Sequence, residues 1–93
     1  QFHKLYMVLG FVADKDMSKV LPLLPKEAHY IFTRAGIERA LDEHILARRA
    51  AEYGLQGETA PTVPAAVARA KELAGADDMI FIGGSTYVVA EAL

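Results

Sequence analysis

Short uncharged runs separated by amphipathic stretches constrain the fold of this chain more than any other feature of its sequence. The first run, residues 5–12 (LYMVLGFV), is apolar throughout and rich in β-forming side chains. It lacks the polar alternation of a strand that faces water on one side, so it indicates a strand buried on both faces, which is typical of parallel sheets. The chain therefore predicts a sheet covered by helices on both sides.

The rest of the chain continues this alternation of strand and helix. Further strands are predicted at residues 29–33 and 79–82, with a short one near residues 59–60. Helical spacing and capping residues predict helices at residues 17–24, 38–53, 64–74 and 87–93. The first of these should be bent or shortened by Pro22. The predicted fold class is α/β: a three-layer, mostly parallel, Rossmann-like sheet flanked by helices.

Composition excludes several classes of protein. The 93 residues are 53% hydrophobic and 24% charged, with a formal net charge of −2. This balance suits one folded domain, residues 1–93, and provides no excess of positive charge for nucleic acid. No apolar run approaches the roughly 20 residues that span a bilayer, the start lacks the pattern of a secretion signal, and cysteine is absent. We expect a cytoplasmic protein without a nucleic-acid or membrane partner.

Three polar clusters follow the predicted strands. Because the carboxyl ends of parallel strands meet at one edge of a sheet, and ligands of open α/β sheets bind there, we expect the clusters to converge on a ligand. Taken singly, each is equally consistent with a solvated loop. The clusters are Asp14-Lys15-Asp16, Thr33-Arg34 and Gly83-Gly84-Ser85-Thr86.

Two arginines add a specific chemistry to this edge. A guanidinium group can bind a carboxylate through two parallel hydrogen bonds, so Arg34 and Arg39 could each hold a carboxylate. A surface role without a ligand is the alternative for either arginine.

The glycines of FIGGSTYVVA interrupt an otherwise buried run near the end of the chain. Gly83 and Gly84 let the backbone turn sharply or approach a ligand, and the hydroxyls of Ser85 and Thr86 could then face an anion at the start of a helix. The alternative is a tight turn in which one hydroxyl caps the helix. The pattern lacks the fuller spacing of a nucleotide-binding fingerprint, so both interpretations stay open.

No catalytic or metal-binding set is visible. The histidines, His3, His29 and His44, are dispersed over separate predicted elements. No nucleophile with an adjacent base, no paired carboxylates and no metal-ligand spacing can be identified. We therefore predict a binding rim and assign no catalytic residue and no metal ligand within this chain.

Three longer stretches carry a family resemblance: VLGFVADKDMSKVLPLLP, TRAGIERALDEHILARRAAEYG and TVPAAVARAKELAGADDMIFIGGSTYVVAEAL. They contain a G-x-x-x-D-K-D motif at residues 10–16, Arg39-Ala40-Leu41 at the expected opening of the long helix, and a D-D-x-I run that leads to Gly84-Ser85. Together they resemble the C-terminal domain of bacterial folylpolyglutamate synthase/dihydrofolate synthase, a family of the Mur ligase superfamily. The resemblance covers nearly the whole chain and rests on the order and spacing of motifs that are weak singly.

The resemblance implies part of an ATP-dependent ligase that adds glutamate to dihydropteroate or folate through an acyl phosphate. In this family ATP and Mg are bound mainly by a central domain, which is absent here, so the isolated chain is expected to hold neither and to be inactive. The family's C-terminal domain begins with a strand and a helix that precede Gln1. We therefore expect a partial domain whose exposed strand edge could support a dimer.

The resemblance also implies which residues bind substrate. Ser85, with Gly84, matches the Gly-Ser turn near the incoming glutamate, and Asp14, Lys15 and Asp16 match an Asp-Lys-Asp motif on the same rim. Arg39 matches an arginine that could equally fix the start of the helix. The alternative function is a non-catalytic α/β module that binds a phosphate-bearing ligand or a protein partner.

Overall fold

A four-stranded parallel sheet forms the centre of the molecule. The computed structural model describes residues 4–14, 16–84 and 86–92. The strands are β1 (Leu5–Gly10), β2 (His29–Phe32), β3 (Gly57–Thr59) and β4 (Met79–Gly84), in the order β3-β2-β1-β4. Every neighbouring pair is parallel, with Leu9 opposite Phe32 and Gly10 opposite Gly84. This confirms the predicted α/β class.

Helices cover both faces of the sheet, because alternate side chains of each strand point to opposite sides. The three helices are α1 (Glu43–Ala51), α2 (Val63–Leu73) and α3 (Thr86–Ala92). On one face, Leu9 and Phe32 pack with Leu46 and Ala50 of α1. On the other face, the alternating residues of the strands pack against α2 and α3; these include Val8, Ile31, Ile82, Ala66 and Val88.

The predicted helix at residues 38–53 is too long at both ends. Helix α1 begins at Glu43, because Asp42 has an extended backbone and its carboxylate accepts hydrogen bonds from the first amides of the helix. The preceding residues pair with the loop after β1 instead: Ala40 forms a bridge with Val12, and the Leu41 amide donates to the Phe11 carbonyl at 2.8 Å. Arg39 therefore lies in a turn, and its predicted place at the helix opening is wrong.

The segment between β1 and β2 does not contain the continuous helix that was predicted at residues 17–24. It forms two 3₁₀ turns, Met17–Lys19 and Leu21–Leu23, with Pro22 in the second. Pro22 lacks the amide that a continuous helix needs, so the turn breaks as expected. Met17 and Leu21 point into the core on the α1 face.

The last strand is longer than predicted. Gly83 and Gly84 continue β4 beyond Ile82 in register with β1, so they belong to the strand.

Among the described residues, no helix has the length and apolar character needed to cross a bilayer.

A polar network lies on the α2 face near the start of β2. The His29 Nε2 lies 3.0 Å from Glu58 Oε2, and the Arg69 Nε of α2 donates to Glu58 Oε1 at 2.8 Å. The Arg69 guanidinium also contacts Glu72 one turn along the helix. This network fastens α2 to the edge strand β3.

Candidate functional site

The carboxyl ends of the strands bring three loops together. Gly10, Phe32 and Gly84 end β1, β2 and β4 at the same edge, and the Thr33 amide donates to the Leu9 carbonyl at 2.8 Å across it. A Cβ at Gly10 would lie 2.8 Å from both the Thr33 carbonyl oxygen and a Val88 methyl group, so two strands and α3 meet here. We call the described residues of this edge the rim: residues 11–14, 16, 33–42 and 83–84.

Backbone hydrogen bonds join the first two loops of the rim. The Ala13 amide donates to the Arg39 carbonyl at 2.7 Å, next to the bridge between Val12 and Ala40. The Arg39 side chain extends this contact, with its Nη2 3.3 Å from Asp14 Oδ2. Both side chains are largely exposed, so the ion pair contributes little stability and leaves both groups open to a ligand. The structure thus brings together two residues that the sequence predicted for the site.

Asp16 has a local structural role, and its predicted role in binding substrate stays a prediction. Its Oδ1 accepts hydrogen bonds from the Ser18 amide at 3.1 Å and the Ser18 hydroxyl at 2.6 Å, which caps the first 3₁₀ turn. The side chain also lines a cleft of about 240 Å³ between that turn and the end of α1, together with Arg49 and Tyr53. Lys15, which the sequence places between Asp14 and Asp16 in the predicted site, lies outside the described residues.

Arg34 extends from the end of β2 toward the start of α1. Its Nε lies 3.0 Å from Glu43 Oε1, and its Nη1 lies 3.6 Å from Asp42 Oδ2. The Arg34 side chain is 44% exposed, whereas that of Glu43 is 5% exposed. A cation at the rim is therefore anchored from below by a buried carboxylate.

Asp42 stays ionised at this position. The hydrogen bond from the His44 backbone amide, at 2.8 Å, is the largest cause that lowers the pKa of Asp42. The Ile45 amide and the charge of Arg34 lower it further, while burial opposes them. An ionised Asp42 caps α1 and also attracts the Arg34 guanidinium, which pairs with Glu43 as well.

Glu43 is the rim-contacting residue that sequence reasoning missed. Its Oε1 is buried, and no donor among the described residues makes a well-directed hydrogen bond to it, although the Arg34 Nε is close. The hydroxyl of Thr33 is also buried without a hydrogen-bond partner among the described residues. The available signal was Asp42 as an N-cap, which places Glu43 on the first turn of α1.

Gly84 and Gly10, which lie opposite each other, let β4 approach β1 closely. Gly84 has a φ of +105°, and a Cβ there would collide with the carbonyl oxygen of Gly10. This backbone conformation accounts for a glycine at position 84 without a ligand. Ser85 lies outside the described residues, so the predicted anion-binding role of Gly84-Ser85 remains a prediction.

An apolar groove of about 240 Å³ adjoins the rim on the α1 face of β4. It is lined by Leu9, Phe11, Val20, Leu24, Phe81 and Gly84. Phe81 is 48% exposed, and the nearby Met79 and Leu23 are 49% and 82% exposed. Since β4 pairs only with β1 among the described strands, this side of the sheet has both an unpaired edge and an uncovered apolar face.

Comparison with known proteins identifies relatives of the whole chain. The family model described as "Mur ligase, glutamate ligase domain" matches residues 1–86. A probable bifunctional folylpolyglutamate synthase/dihydropteroate synthase of Haloferax volcanii is 37% identical over 92 residues, which cover 98% of this chain and 11% of the relative.

Two solved structures share the fold. The bifunctional folylpolyglutamate synthase/dihydrofolate synthase of Yersinia pestis, in complex with AMPPNP and Mn, superposes with a TM-score of 0.79 at 22% identity over 95% of this chain. E. coli FolC, in complex with DHPP and ADP, superposes with a TM-score of 0.80 at 22% identity over 98% of it. This chain spans 21% of each of those two chains.

Proposed function

This chain belongs to the Mur ligase glutamate ligase domain family, and from that membership we propose that it is part of an ATP-dependent ligase that adds L-glutamate to a folate. The observation that carries the proposal is the family match over residues 1–86, together with a rim at the carboxyl edge of a parallel sheet. The relatives from Haloferax and Yersinia are both named folylpolyglutamate synthases, although their second activities differ. We therefore rest the proposal on glutamate addition, with dihydropteroate as a further acceptor.

In the proposed reaction, the acceptor carboxyl becomes an acyl phosphate and the amine of glutamate displaces phosphate from it. When bound, ATP supplies the phosphoryl group and Mg²⁺ neutralises its charge. The described residues contain no group of three or more His, Cys, Asp or Glu side chains placed to hold a metal ion. As the family resemblance implies, we propose that ATP and Mg²⁺ bind mainly to the central domain of the longer enzyme, and we expect the isolated chain to be inactive.

The role of this chain is to supply the glutamate-side rim. Ser85 with Gly84 would contact glutamate, beside the Asp14-Lys15-Asp16 motif. Arg34 and Arg39 carry guanidinium groups suited to its carboxylates. Holding the amino acid in line with the acyl phosphate lowers the entropic cost of the attack, so the rim would act by orientation.

The uncovered side of β4 fits a strand and helix from the rest of the longer protein. The relatives are far longer than this chain, which spans 11% and 21% of their lengths. A strand beside β4 would satisfy its free edge, and a helix would cover Phe81, Met79 and the adjoining groove. The exposed side of β4 thus supports the proposal that the chain is a partial domain of a longer enzyme, which we place in the cytoplasm.

Steady-state kinetics of the longer protein that contains this chain test the proposed function. We expect ADP release that depends on both a folate and glutamate, and an increase in the KM for glutamate when Lys15→Ala or Ser85→Ala is introduced. Lys71→Ala, on the exposed side of α2, is the matched control and should leave the KM unchanged. Absence of glutamate-dependent ADP release would overturn the proposal and favour the non-catalytic binding module.

Calorimetry of the isolated chain tests where ATP binds. We expect no tight binding of ATP to residues 1–93 alone. Tight binding would contradict the assignment of the nucleotide to the central domain.

A further inference from the structure

We infer that Glu43 is a positioning residue that fixes the Arg34 guanidinium at the rim so that Arg34 selects a carboxylate of the incoming amino acid. The inference rests on the proposed function, because that function places a dicarboxylic amino acid at this edge. It adds a residue that lies beneath the rim and has no predicted contact with substrate.

The burial of Glu43 dictates the position of Arg34. A carboxylate that is 5% exposed needs a positive partner, since an unpaired buried charge is strongly disfavoured. Among the described residues, the Arg34 Nε is the cationic group nearest to Glu43, 3.0 Å from its Oε1; the His44 Nε2 lies 3.7 Å from Glu43 Oε2, and its side chain is 70% exposed. Glu43 therefore determines which side of the guanidinium faces the protein.

The contact leaves the outer end of the guanidinium available. Arg34 has five N–H donors in a fixed plane, and its shortest contact with Glu43 is made by Nε. The side chain is 44% exposed at the carboxyl edge of the sheet, where a ligand would approach. The outer Nη groups, of which Nη1 lies 3.6 Å from Asp42 Oδ2, have the geometry to take a carboxylate.

Asp42 provides an internal competitor for the same group. Its Oδ2 lies 3.6 Å from Arg34 Nη1, so a substrate carboxylate would have to displace a long and partly exposed ion pair. Glu43 and Asp42 are adjacent carboxylates with opposite expected effects on the affinity for glutamate. Glu43 orients Arg34 toward the ligand, whereas Asp42 binds the guanidinium group that the ligand carboxylate would bind.

That opposition gives a kinetic signature which general structural damage would not produce. In the longer protein, Glu43→Gln should raise the KM for glutamate about tenfold, since a charge-assisted contact is misaligned, with little change in kcat. Asp42→Asn should lower the KM about threefold, because the competing charge is lost while asparagine still caps α1. Glu52→Gln, an exposed glutamate near the end of α1, is the control for a Glu-to-Gln change.

A double-mutant cycle tests whether Glu43 acts through Arg34. In an Arg34→Gln background, Glu43→Gln should add no further increase in KM. If Glu43→Gln does not fold, Glu43→Asp replaces it, because a shorter carboxylate keeps the charge and withdraws it from Arg34. Changes in KM of the same direction for the variants at 42 and 43, an unchanged KM, or full additivity with Arg34→Gln would each overturn the inference.

A readout independent of turnover separates this inference from the proposed function. NMR relaxation of the Arg34 Nε–H should show a rigid side chain in the wild type and a mobile one in Glu43→Gln. A wild-type protein without glutamate-dependent ADP release would refute the proposed function and the choice of ligand, whereas an equally mobile Arg34 in both proteins would refute the positioning by Glu43.

Discussion

At the residue scale, two glycines determine how closely β1 and β4 approach at the rim. Gly84 has a φ of +105°, and the space for its Cβ is occupied by the Gly10 carbonyl oxygen. Gly10 in turn has no room for a Cβ between the Thr33 carbonyl and Val88. The close approach of the strands at this part of the edge therefore depends on backbone atoms and on the absence of a Cβ at both glycines.

Gly84→Ala should destabilise the protein by about 1–3 kcal/mol, because it combines a positive φ with a collision against β1. Gly75→Ala is the control, since its Cβ would lie 3.6 Å from Asp78 Oδ2, an ordinary contact distance, and should change stability by less than about 0.5 kcal/mol. Urea denaturation of both variants measures the difference. Equal stabilities would show that β4 does not follow this path.

Glu58 makes the stability depend on pH. The hydrogen bond from Arg69 is the main cause that lowers the pKa of Glu58 from its ordinary value of 4.5; the hydrogen bond with His29 lowers it further, against partial burial. Because the folded pKa is below the unfolded one, the contribution is complete above the unfolded pKa and is lost as the pH falls through the folded pKa.

We predict that Glu58→Gln weakens the loss of stability as the pH falls below the ordinary glutamate pKa of 4.5. Part of the loss should remain, because the pKa of Asp42 is also lowered. The urea midpoint as a function of pH measures the effect, with Glu52→Gln as the control. A Glu58→Gln variant whose acid sensitivity matches that of the wild type would contradict the network.

At the scale of elements, the sequence predicted the type of every helix and strand better than their ends. Burial on both faces identified β1, because it appears as an uninterrupted apolar run. The start of α1 was predicted at residue 38, five residues before its observed start at Glu43. The error arose because Leu41 is buried, although it lies in a loop that pairs with Phe11 and Val12. Helical periodicity cannot distinguish such a loop from a first helical turn.

The caps carry the information that periodicity lacks. The Thr62 Oγ1 accepts a hydrogen bond from the Ala65 amide at 3.2 Å at the start of α2. Thr62→Ala should cost about 1 kcal/mol of stability, and Thr62→Ser should restore most of it. Chemical denaturation checks this prediction; equal losses for alanine and serine would show that the hydroxyl does not cap the helix.

At the scale of the whole molecule, the topology could be predicted but the ion pairs at the rim could not. Parallel strands place Asp14, Arg34 and Gly84 at one edge whatever the side chains do. The pairing of Arg39 with Asp14, and of Arg34 with Glu43, depends on how the loop at residues 33–42 crosses that edge, which no local pattern in the sequence specifies. Both arginines are therefore partly paired cations at the rim.

The exposed side of β4 should make the isolated chain self-associate. An uncharged strand with one unpaired edge and the exposed side chains of Met79 and Phe81 is suited to pair with a second copy when no other segment covers it. Sedimentation velocity of residues 1–93 should show a concentration-dependent dimer that Phe81→Ser weakens. The longer protein should not dimerise through the edge of β4. A chain that stays monomeric at high concentration would contradict this assignment of the edge.

The most direct test of the account is amide hydrogen exchange in the longer protein, with and without glutamate, in the presence of a folate and a non-hydrolysable ATP analogue. The account predicts slower exchange at residues 11–16 and 33–42 on adding glutamate, and no change at residues 26–29 and 74–78, at the opposite edge of the sheet. Protection at that opposite edge, or no protection at the rim in an enzyme that turns over, would contradict the claim that this rim receives the amino acid.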